Sequence, residues 1–142
     1  MASKTLSSET KNRTVNTNLK NGLIGGSLAA VISLVLFFIG DALVGPIEVA
    51  QQPGAPVMPL TWFMILMATL VPALVGALVL TGLQRFTGNG TRIFQIVAGV
   101  IALVSLFPAI TQAGSTGAAV ILVLLHLVAA GSIVWALTMR RG

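Results

Sequence analysis

The sequence predicts an all-α membrane protein, an antiparallel bundle of four transmembrane helices, and three observations carry that prediction. Of 142 residues, 56% are hydrophobic and 8% charged, with a mean hydropathy of +0.99; a soluble domain carries about a quarter charged residues to clothe its surface. Four stretches, 22–40, 60–83, 93–110 and 117–139, contain no charged side chain. At about 1.5 Å rise per residue each approaches or exceeds the roughly 30 Å of a hydrocarbon core. If the spans alternate in direction, all eight basic residues fall on one side of the membrane.

At about 20 residues per span, a chain of this length has room for four or five crossings and no separate catalytic domain. The net charge of +5 sits in short flanks beside the spans, where it serves retention by anionic lipid and orientation rather than nucleic-acid binding. The expected partner is the lipid bilayer, and no nucleic acid. Cysteine is absent, which removes disulfides, thiol redox chemistry and thiolate metal sites.

Residues 1–21 are rich in Ser, Thr, Asn and Lys and lack the apolar surface that offsets the entropy of ordering, so they read as a disordered cytoplasmic tail. Span 1, 22–40, is longer than the apolar region of a signal peptide, and Gly40-Asp41-Ala42 is a weak cleavage pattern, so the segment is read as retained. Within it Gly22, Gly26 and Ala30 recur every four residues, flanked by Gly25, Ala29 and Ser33. Such a face lets another backbone approach closely, a principal source of helix association in lipid.

Residues 41–59 hold Asp41, Glu48 and four prolines, and read as an exposed loop, since each proline removes a donor and disfavours helix before it. Pro59 suits the first turn of span 2. Gly88-Asn89-Gly90, bracketed by Arg85 and Arg92, reads as a tight turn between antiparallel helices. Span 3 follows and slows at Pro108. Ser115 or Thr116 is placed to cap span 4. Trp62 and Trp135 suit the two interfacial belts, and the basic residues of the tail, the turn and the Arg140-Arg141 end make both termini cytoplasmic.

Ser105-Leu106-Phe107-Pro108 closing span 3, His126-Leu127-Val128-Ala129-Ala130 inside span 4, and the terminal Arg140-Arg141 resemble a family of small bacterial integral membrane proteins known as a domain of unknown function, number 6069. The resemblance runs roughly from Gly22 to Arg141 and takes in Asp41, Pro46 and the basic turn. It implies a four-span bundle in the cytoplasmic (inner) membrane and lends no activity.

Ionisable groups inside spans are costly and therefore mark function; the spans hold one, His126. Metal chemistry wants a second histidine or a carboxylate on the same face, and neither is present, so no catalytic, metal or cofactor-binding residue and no cofactor is expected. Counting along alternating helices brings Ser33, Thr69 and His126 near one level, with Ser105 about a turn away, as a candidate intramembrane polar cluster. Pro72 frees the Ala68 carbonyl from its usual donor. His126 shares its helix face with Ala119, Ala129 and Ala130, so its ring is expected to point into the bundle and to tie helices together through Ser33, Thr69 or that carbonyl. The function expected is a non-enzymatic structural or interaction protein, with a homo-oligomer or a membrane protein as partner. The competing reading is a homo-oligomeric small-solute or proton-coupled transporter or channel subunit using His126.

Overall fold

The computed structural model describes residues 2–138, with side chains from Glu9 onward except Lys11. The expected end of span 4 at Met139 and the Arg140-Arg141 pair lie outside the described residues. The elements are α1 (Ala2–Val44), β1 (Glu48–Ala50), β2 (Val57–Pro59), α2 (Trp62–Phe86), α3 (Gly90–Thr111) and α4 (Thr116–Thr138). All four helices are long and apolar enough to cross a membrane. They pack antiparallel, with α2 and α4 on either side of α1, and α3 against the same two helices.

The first helix departs from expectation at both ends. Residues 1–21 were expected to be disordered, yet from Ala2 on they belong to α1. No glycine or proline interrupts Ala2–Lys20, and the turn that enters the span is held by burial of Asn18 and Asn21. At the other end the helix passes Gly40 and runs to Val44. Gly45 stops it with φ +82°, its N–H donating to the Asp41 carbonyl at 3.0 Å, a left-handed cap followed by proline. Asp41 therefore lies in the last helical turn, where Oδ1 accepts from the Ile47 N–H at 3.3 Å.

Along α1 the buried positions are Asn18, Asn21, Gly22, Gly25, Gly26, Ala29, Ala30, Ser33, Phe37 and Gly40, the three-and-four spacing of one helix face. A Cβ on Gly22 would stand 2.9 Å from the Ala77 Cβ, and one on Gly26 2.8 Å from the Ala73 Cβ. Gly25 faces Ala136 of α4 in the same way. Gly22, Gly26 and Ala30 are thus buried inside the chain's own bundle, where backbone replaces side chain as the packing surface.

The segment expected to be an exposed loop carries a β-hairpin, with Glu48 opposite Pro59, Val49 opposite Met58 and Ala50 opposite Val57. Its N–H and C=O groups also bond the α3–α4 connection: the Ala50 N–H donates to the Gln112 carbonyl at 2.8 Å, and the Gly114 N–H to the Glu48 carbonyl at 2.9 Å. Pro59 ends β2 instead of opening α2. The helix begins later because Thr61 is its N-cap, with Oγ1 accepting from the Met64 N–H at 3.4 Å. Ser115 caps α4 likewise, accepting from the Ala118 N–H at 3.1 Å.

The core falls into two clusters. Toward the α2–α3 turn lie Ala29, Ala73, Ala77, Leu80, Phe94, Ile133 and Leu137. Toward the hairpin lie Phe37, Ile47, Ile65, Ala109, Ala118, Leu122 and Leu125. On α3 the buried positions are only Gly90, Phe94 and Ala109. Its middle turns therefore add no fully buried side chain to either cluster.

Candidate functional site

Between the two clusters, Ser33 follows Ala29 and precedes Phe37 on α1, Thr69 falls between Ile65 and Ala73 on α2, and His126 stands next to Leu125 on α4. These three side chains line one cavity of about 160 Å³, together with Leu60, Met64, Ile65, Ala68, Leu122, Leu125 and Ala129. The core is open at this level because small or polar side chains occupy it on three helices, where a regular bundle would set branched apolar ones.

Each polar group has a defined hydrogen-bonding state. His126 Nδ1 lies 2.8 Å from the Leu122 carbonyl oxygen; a carbonyl only accepts, so Nδ1 carries the proton and donates. In the neutral ring Nε2 is then an acceptor. Thr69 donates from Oγ1 to the Ile65 carbonyl at 2.6 Å, which leaves its oxygen lone pairs for a guest. Ser33 is 1% exposed, and its Oγ has no hydrogen-bond partner. An unsatisfied buried hydroxyl costs about 1 to 3 kcal/mol. Ala68 lies on the cavity wall, its carbonyl deprived by Pro72 of the usual donor.

Two expectations are corrected by this geometry. The hydrogen bond of the histidine is within its own helix and does not tie α4 to α1 or α2. Ser105 does not join the cluster: its Oγ donates to the Ala102 carbonyl at 2.7 Å, and it borders a separate apolar groove on α3 with Val100, Ile101, Val104, Phe107 and Pro108. The rotation of α3 about its axis, which turns Ser105 to that groove, was not readable by counting along the helices.

A second, wider cavity of about 520 Å³ lies between α2, α3 and α4 under the hairpin, lined by Val49, Ala50, Gln51, Leu60, Met64, Met67, Pro108, Ala109, Gln112, Leu122 and His126. It shares Leu60, Met64, Leu122 and His126 with the inner cavity. The imidazole thus stands at the boundary between a groove reaching the hairpin end and a mainly apolar chamber at mid-span that carries the Ser33 and Thr69 hydroxyls. Among the described residues no cluster of three or more His, Cys, Asp or Glu is gathered for a metal ion.

Sequence reasoning missed a second polar site, at the other end of the bundle. Asn18, 3% exposed, donates from Nδ2 to Thr81 Oγ1 at 2.9 Å and to Gln84 Oε1 at 3.0 Å. Gln84 in turn donates from Nε2 to Thr91 Oγ1 at 3.4 Å, which links α1, α2 and α3. The signal was present: Asn18 and Asn21 extend the stripe of Gly22, Gly25 and Gly26 back by one turn.

A family model described as "Family of unknown function (DUF6069)" matches residues 13–142. The match begins upstream of Asn18, so both polar sites lie within it. No curated protein and no solved structure matches the chain.

Proposed function

We propose a binding role for this chain, which belongs to that family of unknown function. It is a membrane protein with four helices able to span. We assign it to the bacterial cytoplasmic membrane with both termini cytoplasmic, acting as a non-enzymatic interaction protein that holds a small molecule between its helices. Support for the orientation comes from charge. Arg13, Lys20, Arg85 and Arg92 lie at the end where α1 begins and α2 meets α3, whereas Asp41 and Glu48 lie at the hairpin end. Cations are retained on the cytoplasmic side.

The observation that carries the binding role is Ser33. A hydroxyl sealed from solvent and left without a partner is rare in folded proteins, and here it lines a cavity beside a histidine acceptor. A guest with hydrogen-bonding capacity removes the penalty. The wide groove from the hairpin to His126 favours a second reading, a homo-oligomeric transporter or channel subunit in which the same chamber is a stop on a path.

The test is native mass spectrometry of the chain released from gently extracted membranes, paired with solute and proton flux in proteoliposomes. A retained small molecule with no flux supports the binding role. Flux that is lost in His126→Leu replaces it with the transporter reading. Neither a retained molecule nor flux overturns both.

A further inference from the structure

We propose that the inner cavity binds one uncharged, ring-sized molecule bearing a hydroxyl group, a phenol or an alcohol of that bulk, admitted from the hairpin end. The proposal rests on the binding role above and names its ligand class.

Size sets the first limit. The inner pocket of about 160 Å³, open where it shares Leu60, Met64, Leu122 and His126 with the groove, has room for a ring-sized group, since roughly 150 Å³ takes benzene in a protein interior. Charge sets the second. The ionisable group on the wall is His126, and no carboxylate, lysine or arginine lines the chamber. An anion would find no lysine or arginine on the wall and an ammonium no carboxylate, at a depth where an unpaired charge is most costly.

The hydrogen-bond inventory sets the third. His126 Nδ1 is committed to Leu122, so the neutral ring offers only the Nε2 lone pair. The Thr69 proton is committed to Ile65, so its oxygen also offers only acceptance. Ser33 Oγ, without a partner, offers one proton and two lone pairs. The site thus presents one donor among several acceptors, and a hydroxyl, which gives one proton and accepts another, meets it from both sides. A hydrocarbon would leave Ser33 unsatisfied. The remaining wall, including Met64, Ile65, Leu122 and Leu125, suits an apolar body, and the methionine thioether contacts aromatic rings favourably. Access follows from the groove that shares Leu60, Met64, Leu122 and His126 with the chamber and reaches Gln51 and Gln112 at the hairpin end.

The test uses the full chain in lipid nanodiscs with 4-fluorophenol, fluorobenzene and 4-fluorobenzoate as probes, read by fluorine NMR titration. The ring nitrogens of His126 are followed by nitrogen NMR. Saturable 4-fluorophenol binding about tenfold or more tighter than fluorobenzene is expected, as one satisfied hydrogen bond provides, with a shift of the Nε2 signal and weak or no benzoate binding. Ser33→Ala, which removes an oxygen without adding bulk, should lower phenol affinity about tenfold and leave fluorobenzene affinity unchanged. Equal affinity for phenol and fluorobenzene overturns the proposal, as does tighter binding of the anion. Absence of saturable binding with His126 ring protons exchanging with solvent overturns it in favour of water as the occupant. If a retained molecule of another class is found by mass spectrometry while phenol fails to bind, the ligand class falls and the binding role stands.

Discussion

Gly26 and Ala73 meet so closely that a methyl group on Gly26 would stand 2.8 Å from the Ala73 Cβ. Real Cβ atoms do not approach to this distance, so α1 or α2 must move to admit one. Gly26→Ala should therefore destabilise the bundle by about 1 to 3 kcal/mol, as overpacking does, and Gly26→Leu should abolish folded yield in detergent. Gly131, on α4, has no atom within 4 Å of its Cβ direction, so Gly131→Ala should leave stability unchanged or slightly raised. Equal thermal unfolding of the two alanine variants would mean that the α1 face looks at lipid.

Asn18 joins α1 to α2 through two donated hydrogen bonds in a region where little water competes. Asn18→Leu should lower stability by about 1 to 3 kcal/mol by leaving Gln84 and Thr81 without their donor. Deletion of residues 1–12 should be tolerated, because Asn18 and Leu19, which packs against the core, remain. Deletion through Lys20 should not. If both truncations unfold at the temperature of the parent, the helix before Gly22 contributes nothing to the bundle.

The orientation argued from charge is open to labelling. Gln52 and Asn89 are both exposed, at opposite ends of the bundle. Cysteine placed at Gln52 should react with a membrane-impermeant thiol reagent in intact cells, and cysteine at Asn89 only after lysis. Labelling of Asn89 in intact cells would invert the assignment.

The spans were legible because crossing a membrane imposes length and lack of charge, both visible residue by residue. That the face of Gly22 and Gly26 admits another helix was legible for a related reason, since close approach depends on side-chain size, but that α2 supplies Ala77 and Ala73 to meet it was not. The hairpin was not legible because proline density argues against helix without arguing for a strand, and β1 is also bonded to Gln112 and Gly114, more than sixty residues away. The early start of α1 escaped because the polar residue that holds it, Asn18, is buried only by virtue of Thr81 and Gln84. At the candidate site, counting along the helices places Ser33, Thr69 and His126 at a common depth. It could not show that the histidine proton stays in its own helix or that Ser33 is left without a partner, since both depend on rotamers.

His126 separates a tie between helices from a contact for a guest. Its hydrogen bond runs to the Leu122 carbonyl, an oxygen that also serves as the backbone acceptor four residues back in α4. Replacing the imidazole by leucine therefore strips no partner on α1 or α2, and it fills part of a cavity of about 160 Å³ with apolar bulk. His126→Leu should change stability by less than about 1 kcal/mol while abolishing phenol binding. His126→Gln, which retains an acceptor, should bind more weakly but measurably. Thermal unfolding and probe titration on the same two variants give the answer together. A loss above about 2 kcal/mol in His126→Leu, rescued in His126→Gln, would mean that the ring holds the helices to one another and that the chamber is a consequence of that bond rather than a place for a ligand.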